Sequence, residues 1–95
     1  MRYEKSSITD IEKIKKILKK EDYFNIFVWE DKKETFYPTH THPYEEIRWV
    51  VDGEIVIGND EAEFLLGPGD RLISPPNTPH WAKVLKDVTY VCASR

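Results

Sequence analysis

The chain has 95 residues, of which 40% are hydrophobic and 33% charged, the proportions of one globular domain rather than of a disordered or fibrous segment. A net charge of −3 argues against a general nucleic-acid binder, and no apolar run approaches the ~20 residues that a membrane span needs. Met1 to Asp10 has no apolar core of a secretion signal, and a single cysteine, Cys92, rules out an internal disulfide, so the expected location is the cytoplasm.

The first predicted element is a helix. Ser7 or Thr9 is placed to cap it, and Asp10 and Glu12 suit its first turn. Ile11, Ile14, Ile17 and Leu18 recur at helical spacing and form one apolar stripe, expected to cover one outer face of the domain. Lys13, Lys15, Lys16, Lys19 and Lys20 crowd the remaining surface, which reads as a solvated face ahead of a membrane or nucleic-acid surface. Residues 1–22 are therefore taken as an N-terminal helical segment and 23–95 as an all-β barrel.

The rest of the chain reads as short strands separated by turn residues. Tyr23 to Trp29 is rich in aromatic and β-branched residues, Glu30-Asp31-Lys32-Lys33 is a charged turn, and Thr35 to Thr41 is the next strand. In it Phe36, Pro38, His40 and His42 share one parity, and Tyr37, Thr39 and Thr41 the other. Glu46 to Val51 divides in the same way. Glu46, Arg48 and Val50 face one side, while Ile47, Trp49 and Val51 make an apolar outer face for the helix or a partner subunit. Asp52-Gly53 is a hairpin signal, and turns are expected again at Gly58-Asn59-Asp60, Gly67-Pro68-Gly69-Asp70 and Lys86-Asp87. Between these turns lie Glu54 to Ile57, Glu61 to Leu66, Arg71 to Ser74 and the run that starts at His80, with Ala82 and Val84 inward and Trp81 outward. Cys92, in the final strand, is expected to be a small core residue. Strands this short, with turns this frequent, argue for an all-β sandwich or barrel.

All three histidines fall in two places. His40 and His42 lie on one strand parity, their Cα atoms roughly 6.5–7 Å apart if extended, with Glu46 close behind. His80 comes after the turn Ser74-Pro75-Pro76-Asn77-Thr78-Pro79. Imidazole nitrogens with a carboxylate suit one divalent transition metal: Mn, Fe, Co, Ni, Cu or Zn.

The pattern His40-x-His42, three residues, Glu46, six residues, Gly53 resembles the first motif of the cupin family. Gly69, Pro75, Asn77 and His80 hold the spacing of the second. Three positions depart from the family pattern: Glu34 and Asn77 stand where glycine is expected, and Val84 where asparagine is expected. Asn77 tolerates a positive φ, so a tight turn there survives. The resemblance implies a double-stranded β-helix, or jelly roll, with His40, His42, Glu46 and His80 as metal ligands. It selects Glu46 over Glu45, which falls out of phase and is expected to be solvated. Ser74, Thr78 and Tyr44 are candidates to orient the histidines.

Arg48 shares the inner face with Glu46, and two readings of it stand: an ion pair with that acid, or a planar fork for an anionic or enediolate substrate. Glu46-Ile47-Arg48 is similar to a stretch of the acireductone dioxygenases, a cupin branch in which the acid is a ligand and the arginine contacts substrate. The resemblance points to a small metal-dependent oxygenase for a compact, oxygen-rich molecule, with Arg48 and Tyr44 as its catalytic residues. The alternative is a non-catalytic metal-binding or small-ligand sensor; a purely structural metal is the third reading. Small cupins often pair, and Trp49 and Trp81 on the outer parity suggest a homodimer.

Overall fold

The computed structural model describes residues Met1 to Arg95. Its elements are β1 (Arg2–Glu4), α1 (Ile11–Lys20), β2 (Phe24–Asp31), β3 (Phe36–His40), β4 (Glu46–Gly58), β5 (Glu63–Leu66), β6 (Arg71–Ser74) and β7 (His80–Ser94). All strand pairs are antiparallel, and the fold is an all-β jelly roll with one short helix. The helix is neither long nor apolar enough to cross a membrane.

Two long strands organise everything else. The first half of β4 pairs with β6 and with the end of β7, while its second half pairs with β5 and with the start of β7. β7 likewise carries β3 on its first half and β2 on its second. The hairpin expected at Asp52-Gly53 and the turn expected at Lys86-Asp87 are therefore not turns. They face each other across the β4–β7 ladder at irregularities in its register, and both strands continue through them. Gly53 has φ +85°, and a Cβ there would lie 2.0 Å from the Asp87 carbonyl oxygen, so close backbone approach at the corner demands glycine.

The helix is capped by Asp10 rather than by Ser7 or Thr9. The Asp10 backbone is extended and its carboxylate accepts from the Lys13 amide at 2.9 Å, whereas Thr9 lies one residue too early to do so. Ile14 and Leu18 of α1 are fully buried against Ile47, Trp49, Ile73, Val91 and Ala93. The outward parity of β4 therefore seats the helix, as its pattern implies. Each large apolar side chain buried there stabilises the fold by about 1.5–3 kcal/mol. Trp49 is only 2% exposed, and its indole N–H donates to the Ile8 carbonyl at 3.0 Å. It is thus no part of a dimer surface, because α1 occupies that face. Trp81 is half-buried and stacks on Phe36.

The opposite parity builds the barrel interior: Val50, Ile55 and Ile57 of β4 pack with Leu66, Leu72, Ala82, Val84, Val88, Tyr90 and Cys92. Arg2 to Glu4, which carries no strand signal of its own, pairs with β6 at the sheet edge. Glu30 and Asp31 extend β2 instead of turning, opposite Thr89 and Val88. The turn falls after them, with Glu34 at φ 77° and closure by the Thr35 amide on the Lys32 carbonyl. Asn77 sits at φ 59°, the left-handed conformation its position requires.

Candidate metal centre

Three segments converge at one end of the barrel. β3 ends at His40, the loop after it carries His42, and β7 begins at His80 directly opposite His40 in the ladder. The ring centroids lie 4.5 Å apart for His40 and His80, 5.0 Å for His40 and His42, and 5.6 Å for His42 and His80. One ligand atom from each comes within 4.8 Å of the others, close enough to hold a metal ion.

Their orientation is fixed locally. The Nδ1 atoms of His40 and His80 each lie 2.8 Å from a backbone carbonyl, of Pro38 and Thr78 respectively. A carbonyl only accepts, so Nδ1 carries the proton and Nε2 keeps its lone pair. Nε2 of His80 is buried without a hydrogen-bond partner, and so is that of His42, which lies 3.4 Å from Glu46 Oε2. A buried acceptor without a partner is costly, and a cation at the focus of these atoms satisfies it. Burial also pushes the His80 imidazole below its ordinary value, which favours the neutral, ligating form. The residues present therefore fit a divalent transition metal. Of the expected orienting groups, Thr78 acts through its carbonyl and Tyr44 stacks on His42 with its hydroxyl 3.4 Å from Nδ1, whereas Ser74 makes no such bond.

Glu46, first residue of β4, stands beside the three rings. Its Oε2 lies 3.4 Å from His42 Nε2, and its Oε1 lies 3.1 Å from an Arg48 guanidinium nitrogen. Both charged side chains are 10% exposed. The Glu46–Arg48 contact is a pair by distance but not by hydrogen-bond alignment, since Glu46 Oε1 and Arg48 Nε both lack a partner. Glu45 is not solvated as expected. It accepts from the Tyr23 hydroxyl at 2.7 Å and pairs with Arg95 at 2.8 Å, because the chain end returns beside it and their backbones exchange hydrogen bonds.

These groups open on a cavity of about 500 Å³. His40, His42, Glu46 and Arg48 form one part of its wall; Phe27, Trp29, Tyr37, Pro38, Tyr90 and Cys92 form the rest. Tyr44 is not among them: it is 40% exposed and lines the neighbouring groove with Phe24 and Phe27. Tyr37 faces the cavity despite its parity, and Phe36 does not. The β3–β7 register shifts between Tyr37 and His40, across Pro38, which has no N–H to give the ladder. Cys92 is buried, and desolvation pushes its thiol up to about 12, which favours the neutral thiol.

The aromatic part of the wall is absent from the sequence-based expectations. Phe27 and Trp29 of β2 stand opposite Cys92 and Tyr90 of β7, which in turn pair with Arg48 and Val50 of β4. Alternation within β2 signals one shared face; which way that face points depends on the pairing.

Known proteins agree with this architecture. The Cupin domain family matches residues 27–93. Acireductone dioxygenase of Puccinia graminis f. sp. tritici is 35% identical over 74 residues, covering 72% of this chain and 40% of that protein. Dimethylsulfoniopropionate lyase DddQ of Ruegeria pomeroyi is 42% identical over 53 residues, covering 47% of this chain and 23% of that one. The chain thus spans less than half the length of these curated relatives. The crystal structure of the lyase superposes with a TM-score of 0.68 at 28% identity, over 74% of this chain and 36% of the other. A DUF861 family protein from Thermotoga maritima shares the fold over nearly its full length, with a TM-score of 0.72 at 18% identity, over 99% of this chain and 98% of that one. With the jelly roll, the histidine cluster and a family match over most of its length, the chain belongs to the cupin family.

Proposed function

We propose that this cupin is a metal-dependent oxygenase acting on a compact, oxygen-rich small molecule. The observation that carries the reading is the convergence of three imidazoles, two with buried and unpartnered Nε2 atoms, on the wall of an open cavity. A closed structural site would need no such cavity. His40, His42 and His80 are the neutral ligands and Glu46 the anionic one. A divalent transition metal held there supplies Lewis-acid polarisation and, with iron or nickel, redox chemistry at positions the protein leaves open.

The chain's own groups define the rest. Arg48 lines the cavity with its Nε unpartnered, a charged donor for a substrate carboxylate or enediolate. The aromatic wall excludes water from one side of the bound molecule. The phenols of Tyr37 and Tyr90, raised above their ordinary values chiefly by burial, stay protonated and orient substrate without ionising. The likeness to acireductone dioxygenases supports an oxygenase in particular, and the likeness to a dimethylsulfoniopropionate lyase makes elimination the competing chemistry.

The test is metal analysis of protein purified without chelator. Oxygen-electrode assays of the iron-, nickel- and zinc-loaded forms with an acireductone come next, and a parallel assay for elimination from dimethylsulfoniopropionate completes the set. Oxygen uptake with iron but not zinc is expected. Elimination without oxygen uptake would replace the oxygenase by a lyase, tight metal binding with neither activity would leave a binding module, and failure to retain any of the metals would remove the reading altogether.

A further inference from the structure

Four strands, β1, β2, β3 and β5, pair on one side only and so leave a free edge. Such an edge is an open row of N–H and C=O groups, and soluble proteins blunt it by shortness, charge or proline. Three of the four are blunted. β1 is three residues with Arg2 and Glu4, β3 is five residues with Pro38, and β5 is four residues. β2 runs eight residues, and its Ile26-Phe27-Val28-Trp29 holds neither charge nor proline. Of the eight large apolar side chains that are exposed, β2 supplies four: Phe24, Phe27, Val28 and Trp29. A long apolar edge that concentrates exposed aromatic area in this way is a template for another strand.

The pattern of β2 fits a second copy of itself. Side chains opposite each other across an antiparallel ladder share a face, so a twofold axis must set odd-numbered residues against odd and even against even. The odd face carries Phe27 and Trp29 and lines the cavity; on the even face Ile26 packs against the α1 cluster, and Val28 follows. An axis through Val28 sets Phe27 against the second copy's Trp29 on the cavity face, and Ile26 against its Glu30 on the helix face. The neighbouring registers are poorer. An axis through Phe27 opposes Trp29 to Asn25, whose φ of 50° interrupts the extended strand. One through Trp29 opposes the carboxylates of Asp31 and Glu30 to Phe27 and Val28. The Val28 axis also matches charge. Glu30 is exposed without a cation partner in its own chain, and Lys19 and Lys20, in the last turn of α1 that leads into β2, are exposed without an anion. With that axis Glu30 of one copy falls on the face of the other that carries this turn.

We propose that two copies of this chain pair antiparallel along β2 about a twofold axis at Val28, and that each copy completes the other's cavity. Phe27 and Trp29 line the cavity while about half exposed. In the pair the second copy's Trp29 covers Phe27 and its Phe27 covers Trp29, so the partner contributes two aromatic rings to the mouth of each site. Apolar ring area removed from water drives the association, each contact occurring twice by symmetry, and the two edges exchange main-chain hydrogen bonds. The pairing stands apart from the metal-centre reading, since none of its residues is a proposed ligand.

Sedimentation equilibrium of the full chain tests the pairing. Wild type should be dimeric at about 100 µM, well above the Kd of an interface of ordinary size, and should dissociate on dilution. Val28→Lys sets two ammonium groups against each other at the axis and should be monomeric at that concentration, whereas Leu65→Lys, at an exposed apolar position on the β5 edge, should stay dimeric. Should Val28→Lys fail to fold, Val28→Cys answers instead. Residues facing each other across the ladder have Cα atoms about 4.5–5.5 Å apart, so mild oxidation should join the two copies at residue 28 but not those of Leu65→Cys. Glu30→Lys should weaken the dimer on the order of tenfold, and Lys19→Glu with Lys20→Glu in the same chain should restore it. Through the dilution the Trp29 indole N–H resonance should shift, because the second copy's Phe27 leaves its ring. A monomeric wild type overturns the proposal and leaves the edge to a different chain. A folded Val28→Lys dimer, a Val28→Cys protein that does not cross-link, a charge reversal without rescue, or a Trp29 resonance blind to dilution overturns it too, by moving the junction away from this register or from the cavity mouth.

Discussion

Arg48→Met is the sharpest perturbation of the charged half of the site. Methionine keeps much of the aliphatic stem and removes the charge. At 3.1 Å and an effective dielectric of about 20, the Arg48–Glu46 attraction is about 5 kcal/mol. Most of that offsets the cost of withdrawing two ions from water, since both side chains are 10% exposed. Removing the arginine alone forfeits the attraction but leaves the Glu46 carboxylate in place, with His42 Nε2 at 3.4 Å as its nearest neighbour. Breaking one partner of such a pair costs about 3–5 kcal/mol. The pair is not aligned as a hydrogen bond and borders an open cavity, so the expected cost is the lower figure, ~3 kcal/mol. In a domain of this size that corresponds to a fall in Tm of about 12–24 °C. Glu46→Gln with Arg48→Met removes both charges and should cost about 1 kcal/mol or less. The assay is urea unfolding of chelator-treated protein at pH 7, monitored by circular dichroism. If Arg48→Met alone is as stable as the double variant, the pair does not hold the site together and the reasoning fails. With metal at the histidines the cation takes over as counter-charge to Glu46, and the gap between the variants should narrow.

The other predictions separate ligand, fold and backbone effects. His80→Ala should weaken metal binding by more than about a hundredfold, judged against the loss that even outer-shell partners cause. Glu45→Ala should leave metal affinity intact while costing about 1 kcal/mol through the lost Tyr23 and Arg95 contacts; competition with a chromogenic chelator reads the affinity, and equal loss in both variants would contradict the ligand assignment. Cys92, Tyr23 and Tyr90 all titrate above their ordinary values when folded, mainly through burial. Their contribution is therefore fully present below the unfolded-state values of 9.0 and 10.0 and is lost as pH rises above them. The urea midpoint should stay level to pH 8.5 and fall through roughly pH 9–11, and Cys92 should resist a thiol-specific disulfide reagent at pH 8; a midpoint level to pH 11, or rapid labelling of native protein, would oppose this. Glu34→Gly should stabilise the fold by about 0.5–1 kcal/mol by relieving a φ of 77°, and an unchanged or lower unfolding midpoint would show that the Glu34 side chain compensates the strain.

Much of this protein is legible in its sequence because the relevant physics is local. The i, i+3, i+4 recurrence of Ile11, Ile14, Ile17 and Leu18 specifies one apolar helix face. The alternation from Glu46 to Val51 separates the side under that helix from the side toward the interior. The resemblance to the cupin motifs singled out His40, His42, Glu46 and His80; the fold brings the three histidines into one cluster and leaves Glu46 beside them, 3.4 Å from His42. Other features depend on pairings that no short window contains. Asp52-Gly53 has the composition of a hairpin turn, and becomes a corner only because Asp87 passes against it. Tyr37 reaches the cavity because β3 slips against β7 across Pro38. Trp49 is buried because α1 lands on it, and Glu45 is paired because Arg95 returns to it. Phe27, Trp29 and Asp31 alternate in sequence as any half-buried strand does. Only the register of β2 on β7, which sets Trp29 opposite Tyr90, turns that alternation into a cavity wall of Phe27 and Trp29, since a period of two fixes which residues share a face but not what that face meets.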